Sequence, residues 1–173
     1  MADVASHARR IAKECMGTRA REVSRLLTRI YDEHLRPTGL QGSQLPVLVA
    51  AALFGAAGAP MGTLADKLVM ERTTLTRTLK PLEAAGYVRI ARQPGDARAR
   101  IVLLTRAGAQ VLESAYPRWE AAQRRVRRAL GGAQFEELHA RLSGVVAASF
   151  DAASFDATPR RSRSGSRRSS SAS

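Results

Sequence analysis

Few residues in this chain are equipped for bond-making chemistry. Cys15 is the single cysteine, and the three histidines, His7, His34 and His139, stand far apart. One thiol allows no internal disulfide, and so wide a scatter offers no metal-ligand set. There is no glycine-rich phosphate loop, no Gly-x-Ser-x-Gly elbow and no His-Glu-x-x-His pair, so no catalytic residue, metal or cofactor is expected and the chain does not read as an enzyme. What it concentrates instead is positive charge: 28 Lys and Arg against 15 Asp and Glu, a formal net charge of +13 over 173 residues. The chemistry available to such a chain is recognition of anions, since Lys and Arg meet phosphates and Arg takes guanine in a bidentate fork.

The charge is unevenly placed. Arg72, Arg77, Lys80, Arg89, Arg92, Arg98, Arg100 and Arg106 face only Glu83 and Asp96 in the stretch 72–106. A second share lies in Arg160, Arg161, Arg163, Arg167 and Arg168, in a Ser- and Gly-rich end with no large apolar side chain. That composition cannot offset its own ordering entropy, so 151–173 is expected to be a disordered Arg/Ser-rich tail. Hydrophobic residues make up 45% of the chain, enough for a core. No apolar run approaches the roughly 20 residues of a membrane span, and the N-terminus lacks the apolar stretch of a secretory signal. A cytoplasmic protein meeting nucleic acid is the expectation.

The elements that must carry these residues follow from periodicity. Ala12, Met16, Ala20, Val23, Leu27 and Ile30 recur at helical spacing, predicting one long helix that Pro37 and Gly39 end. A second helix is expected over 42–54, with Pro46 tolerated in its first turn. Thr63 is placed as the cap of a two-turn helix, Leu64 to Leu68, and a turn at Val69-Met70 leads into a helix whose Leu75, Leu79 and Leu82 form one stripe. Tyr87 to Arg92 alternates apolar and basic residues, Pro94-Gly95-Asp96 supplies a turn, and Arg100 to Leu104 returns as a strand. Two short helices with a tight turn and a following hairpin make a winged helix-turn-helix. Thr105 then caps a long helix to about Leu130, with a kink expected at Pro117, and a last helix is expected over 133–149. The fold class is thus mainly α with a small β-hairpin wing. Its expected parts are an N-terminal helix for dimerisation (1–39), the DNA-binding domain (40–104), C-terminal dimerisation helices (105–150) and the tail.

Several motifs in this frame resemble the MarR family of winged-helix transcription regulators, over roughly residues 8–150. They are Gly39-Leu40-x-x-x-Gln44-x-x-Val47-Leu48, Leu64-Ala65-x-x-Leu68, Thr73-Thr74-Leu75-Thr76-Arg77, Leu82-Glu83-x-x-Gly86-Tyr87-Val88, Asp96-x-Arg98 and Leu104-Thr105-x-x-Gly108. The resemblance implies an obligate homodimer whose terminal helices intertwine and present two winged domains to a pseudo-palindromic operator, acting as a repressor. Two features depart from the pattern. The Val69-Met70 turn has no glycine, so its backbone must avoid a left-handed conformation or accept strain. Pro81 lies inside the recognition helix, where it removes a hydrogen bond to the Arg77 carbonyl and predicts a bend beyond the DNA-reading part.

On a helical wheel Thr73, Thr76, Arg77 and Lys80 lie opposite the leucine stripe. Arg77 is the first choice for base readout, Arg72, Thr73 and Thr74 for mixed base and phosphate contacts, and Lys80 for phosphate. In the wing, Arg98 is expected to reach a minor groove with Asp96 bracing it, and Arg100 to meet the DNA backbone. Release from DNA has two readings. Arg9, Arg10, Lys13 and Arg19 surround Cys15 and favour its thiolate, and the resemblance extends to peroxide-responsive members that use a lone cysteine in the first helix. The alternative is a small aromatic or phenolic effector held by Arg25, Tyr31 and His34. A non-specific architectural nucleic-acid-binding protein is a further alternative, although the few aromatics do not interleave with basic residues as a base-stacking surface would.

Overall fold

The N-terminal periodicity does form helix, but as two helices rather than one. α1 (Ala2–Glu14) stops and α2 (Met16–Leu35) starts around Cys15, whose φ of −71° and ψ of 106° are extended. Its N–H still donates to the Ile11 carbonyl at 2.9 Å and its carbonyl accepts from Arg19 N–H at 3.2 Å, so the interruption is one residue long. Cys15 is the N-cap of α2, and Gly17, a weak helix former, lies in the first turn beyond it. The computed structural model describes residues 2–93 and 96–155, with side chains from 3 to 93 and 99 to 148. The Pro94-Gly95 turn and the tail from 156 lie outside the described residues, as do the side chains of Asp96 and Arg98.

The winged domain is built on α3 (Leu45–Phe54), α4 (Met61–Lys67) and α5 (Arg72–Ala84), with a sheet of β1 (Ala59–Pro60), β2 (Val88–Gln93) and β3 (Asp96–Leu104) in the order β1-β3-β2. α3 begins three residues later than its pattern predicts. Side chains consume the amides before it: Gly42 N–H donates to Asp32 Oδ1 at 2.6 Å, and Gln41 N–H to the buried Gln44 Oε1 at 2.9 Å. β1, absent from the sequence reading, pairs Ala59 with Val102 and Pro60 with Ile101. It delivers Pro60 as the cap of α4, so Thr63 lies within that helix rather than capping it. Leu35, Val47, Leu48, Leu64, Leu75, Leu79, Leu82, Val88 and Val102 are fully buried and form one core joining these elements to the end of α2.

The glycine-free turn accepts strain. Met70 N–H donates to Ala65 O at 2.9 Å and Val69 N–H to Asp66 O at 3.0 Å, a Schellman closure that places Val69 at the position glycine usually takes, with φ of 51°. α5 then runs through Pro81 to Ala84. Glu83 Oε1 accepts Ile90 N–H at 3.3 Å, tying the recognition helix to the wing.

α6 (Arg106–Leu130) passes through Pro117 as one helix, and its Arg125 reaches Glu33 of α2 at 2.6 Å. Thr105 caps it, accepting Gly108 N–H at 3.0 Å while its hydroxyl donates to the Gly86 carbonyl at 2.6 Å. Gly108 is required here, since a Cβ would stand 2.0 Å from the Tyr87 carbonyl oxygen. The remaining unit, from Leu130, is α7 (Gly132–Phe155), which extends past the expected boundary at 150. Leu138, Leu142, Val145 and Val146 share one of its faces and are exposed, as are Val4, Ile11 and Met16 of the N-terminal helices. No described helix is long and apolar enough to cross a membrane.

Candidate nucleic-acid interface

Burying Leu75, Leu79 and Leu82 turns the opposite face of α5 to solvent, and Arg72, Thr73, Thr76, Arg77 and Lys80 together line a shallow depression of about 410 Å³ there. Arg72, Arg77 and Lys80 form no ion pair among the described residues, in contrast to Arg10, Arg19, Arg124, Arg125 and Arg141, each of which has a carboxylate. Thr76, which is exposed, donates its hydroxyl to the Arg72 carbonyl at 2.8 Å. Thr74 stands apart from the other five. It is half-buried, and its carbonyl accepts the Thr78 hydroxyl at 3.0 Å.

The wing adds a feature that the sequence reading missed. In the β2-β3 register Arg92 lies directly opposite Arg100, next to the irregularity at Gln93, and both are exposed. Directly opposed residues share a sheet face, and like charges there repel, so an anion is the natural third party. Pairing them required the register, which period-two alternation alone does not set.

Cys15 is half-exposed at the helix break and lines a surface depression with His7, Arg10, Ile11 and Glu14. The thiol makes no capping hydrogen bond. Ionised, it would gain the Thr18 hydroxyl first, then the amides of Thr18 and Gly17, with a smaller contribution from Arg21, and its pKa is lowered accordingly. The cations expected to act on it are otherwise engaged in two cases: Arg10 pairs with Glu14 at 3.0 Å and Arg19 with Glu22 at 2.9 Å.

The proposed effector residues differ in their surroundings. Arg25 is exposed, Tyr31 is half-buried against the core with its pKa raised by burial, and His34 Nδ1 lies 2.7 Å from the Ile30 carbonyl. The large apolar cavity of this unit, about 590 Å³, lies instead between α3 and α6, lined by Leu45, Val49, Leu112, Tyr116 and Trp119 among others. The i, i+4, i+7 run of Leu112, Tyr116 and Trp119 was its available sequence signal.

A basic recognition helix on a buried leucine stripe, joined to a basic hairpin, defines a winged helix-turn-helix protein of the DNA-binding kind. The profile of the MarR family matches residues 38–99. The structure is similar to the Mycobacterium tuberculosis transcriptional regulator MosR in complex with DNA, with a TM-score of 0.70 and 31% identity over 80% of this chain and 98% of that one. It is also similar to a mutant MarR from Escherichia coli complexed with operator DNA, with a TM-score of 0.69 and 24% identity over 79% of this chain and 96% of that one. Among curated sequences it matches the uncharacterized HTH-type transcriptional regulator YwoH of Bacillus subtilis (strain 168), 38% identical over 85 residues, which are 48% of this chain and 58% of YwoH. The chain belongs to the MarR family.

Proposed function

We propose that this protein is a sequence-specific double-stranded DNA-binding repressor that acts in the cytoplasm, at the nucleoid, as a homodimer on a pseudo-palindromic operator. The observation that carries the proposal is the set of unpaired cations Arg72, Arg77 and Lys80 on one exposed helix face with Thr73 and Thr76 between them. Arg77 reads a guanine edge, Thr73 and Thr76 contact bases or phosphates, and Lys80, Arg92 and Arg100 meet the DNA backbone. Asp96 and Arg98 complete the wing, and Thr74 joins the base and phosphate contacts. The apolar faces left exposed on α1, α2 and α7 supply the surface for the second copy.

Binding titrations on operator and scrambled duplexes test this reading. Arg77→Ala is expected to relax sequence preference, with a loss of about 1–3 kcal/mol at one base pair, while Lys80→Ala weakens all duplexes alike and lowers the salt slope by about one phosphate. Uniform loss from both variants refutes the base-reading role, and equal wild-type affinity for both duplexes would make the protein an architectural binder instead.

The same proposal assigns release to oxidation of Cys15. Its thiolate attacks the terminal oxygen of a hydroperoxide, the O–O bond breaks, sulfur takes the OH as a sulfenic acid, and the alkoxide or hydroxide that leaves takes a proton from solvent. The lowered pKa and the solvent-facing depression support this step. Peroxide is expected to release wild type but not Cys15→Ser from operator DNA, and equal release of both refutes it. A second reading, release by a small molecule, is favoured by the cavity between α3 and α6.

A further inference from the structure

We infer that the cavity between α3 and α6 takes a lipophilic cation, an aromatic or amphipathic molecule with a delocalised or quaternary positive charge. The inference rests on the reading of this cavity as an effector site and names the ligand class for it. At about 590 Å³ the cavity suits a drug-sized molecule, and its walls are almost wholly apolar. Two aromatic rings line it: Tyr116 and Trp119 lie 5.8 Å apart between centroids at an interplanar angle of 34°.

Charge decides the class. Glu113 is the only charged side chain in the lining, and it has no cationic partner among the described residues. This is a local exception in a chain with 28 basic residues. Glu113, Tyr116 and Trp119 stand at i, i+3 and i+6 on α6, so Tyr116 is the helical neighbour of both the carboxylate and the indole, and all three line the cavity. Glu113 is exposed, so a cation gains its carboxylate and the ring quadrupoles together, whereas a phenolate meets a like charge. The basic residues elsewhere do not reverse this preference. Arg118, next to Trp119 on α6, is exposed and does not line the cavity, where Glu113 is the one charged group.

Tetraphenylphosphonium and tetraphenylborate share size and shape and differ in the sign of charge, and Trp119 is the only tryptophan, so its fluorescence reports the cavity directly. Titrated into the intact homodimer, the phosphonium is expected to quench Trp119 saturably at one per protomer and to bind at least about tenfold more tightly than the borate. Glu113→Gln is expected to lower phosphonium affinity about five- to tenfold while leaving borate affinity and operator binding unchanged. Operator release, followed by anisotropy with salicylate as the phenolic comparison, separates the two levels of the argument. Equal or tighter borate binding, or an unaltered Glu113→Gln, overturns the cation class; release by salicylate or borate would then keep the effector reading. Phosphonium binding without operator release supports the cation site and overturns the effector reading. If neither ion is sensed and Trp119 emission changes on dilution instead, a second copy covers the groove and both fail.

Discussion

Replacing Gly108 by alanine tests how the recognition helix is anchored to the long helix behind it. The new Cβ would lie 2.0 Å from the Tyr87 carbonyl oxygen and 2.8 Å from Leu104 Cδ1, where ordinary contacts begin at 3.4 Å. The obstacle is backbone, so rotating a side chain cannot relieve it. More than 1 Å of movement is required, either of the α6 N-terminus or of the Gly86-Tyr87 segment. Overpacking of this kind costs about 1–3 kcal/mol. The displaced carbonyl also accepts Thr105 N–H at 3.1 Å, and the Thr105 hydroxyl holds the neighbouring Gly86 carbonyl. Each weakened bond adds about 1 kcal/mol. Alanine returns about 0.5–1 kcal/mol as the better helix former, leaving a net destabilisation of about 2–4 kcal/mol. For a chain of this size that lowers Tm by about 5–15 °C. The comparison variant is Gly144→Ala, inside α7 with nothing within 4 Å of its Cβ, which is expected to be neutral or stabilising. Circular-dichroism melts at one fixed protomer concentration, needed because any self-association would shift Tm, compare them. If Gly108→Ala melts within about 1 °C of wild type, the anchoring argument is wrong.

Val69→Gly is expected to raise Tm slightly and Val69→Asn to be neutral or better, since relief of about 1–2 kcal/mol of left-handed strain is partly offset by glycine's greater unfolded-state entropy; a clear drop in Tm for both would refute strain at this turn. The Arg125 guanidinium holds the Glu33 carboxyl below its ordinary value near 4.5, first by a hydrogen bond and then by charge. Stability from a lowered carboxylate is present above the ordinary value and is lost as pH falls through the lower folded one. Melts across that acid range are therefore expected to fall less for Glu33→Gln than for wild type, and parallel curves would refute the coupling.

The winged domain was legible because local rules and tertiary packing agree there. The leucine stripe of α5 is the buried stripe, and the basic face opposite it is the exposed one. The reading went astray where the deciding interaction lies outside the segment. Only Gly17 hints at a break beside Lys13-Glu14-Cys15-Met16, because no proline stands there and the apolar period continues across it. Thr63 is a good cap by type, yet two residues of β1, positioned by a strand more than forty residues later, hand that position to Pro60. Of the candidate interface, the exposed face of α5 with Thr73, Thr76, Arg77 and Lys80 followed from a wheel. The Arg92–Arg100 opposition needed a register, and the cavity needed two helices distant in sequence to meet.

That opposition gives the wing a response to ions unlike that of the rest of the interface. Two guanidinium groups held across a ladder repel each other in the free protein and lose that repulsion beside phosphate. Added salt therefore acts with opposite sign on two processes: it relaxes the hairpin of the unbound protein while it weakens the complex. On the proposed contact of Arg92 and Arg100 with the DNA backbone, a polyanion would relieve this like-charge opposition. Part of the drive for docking is then the removal of an internal conflict, which favours polyanions of sufficient charge density over single small anions.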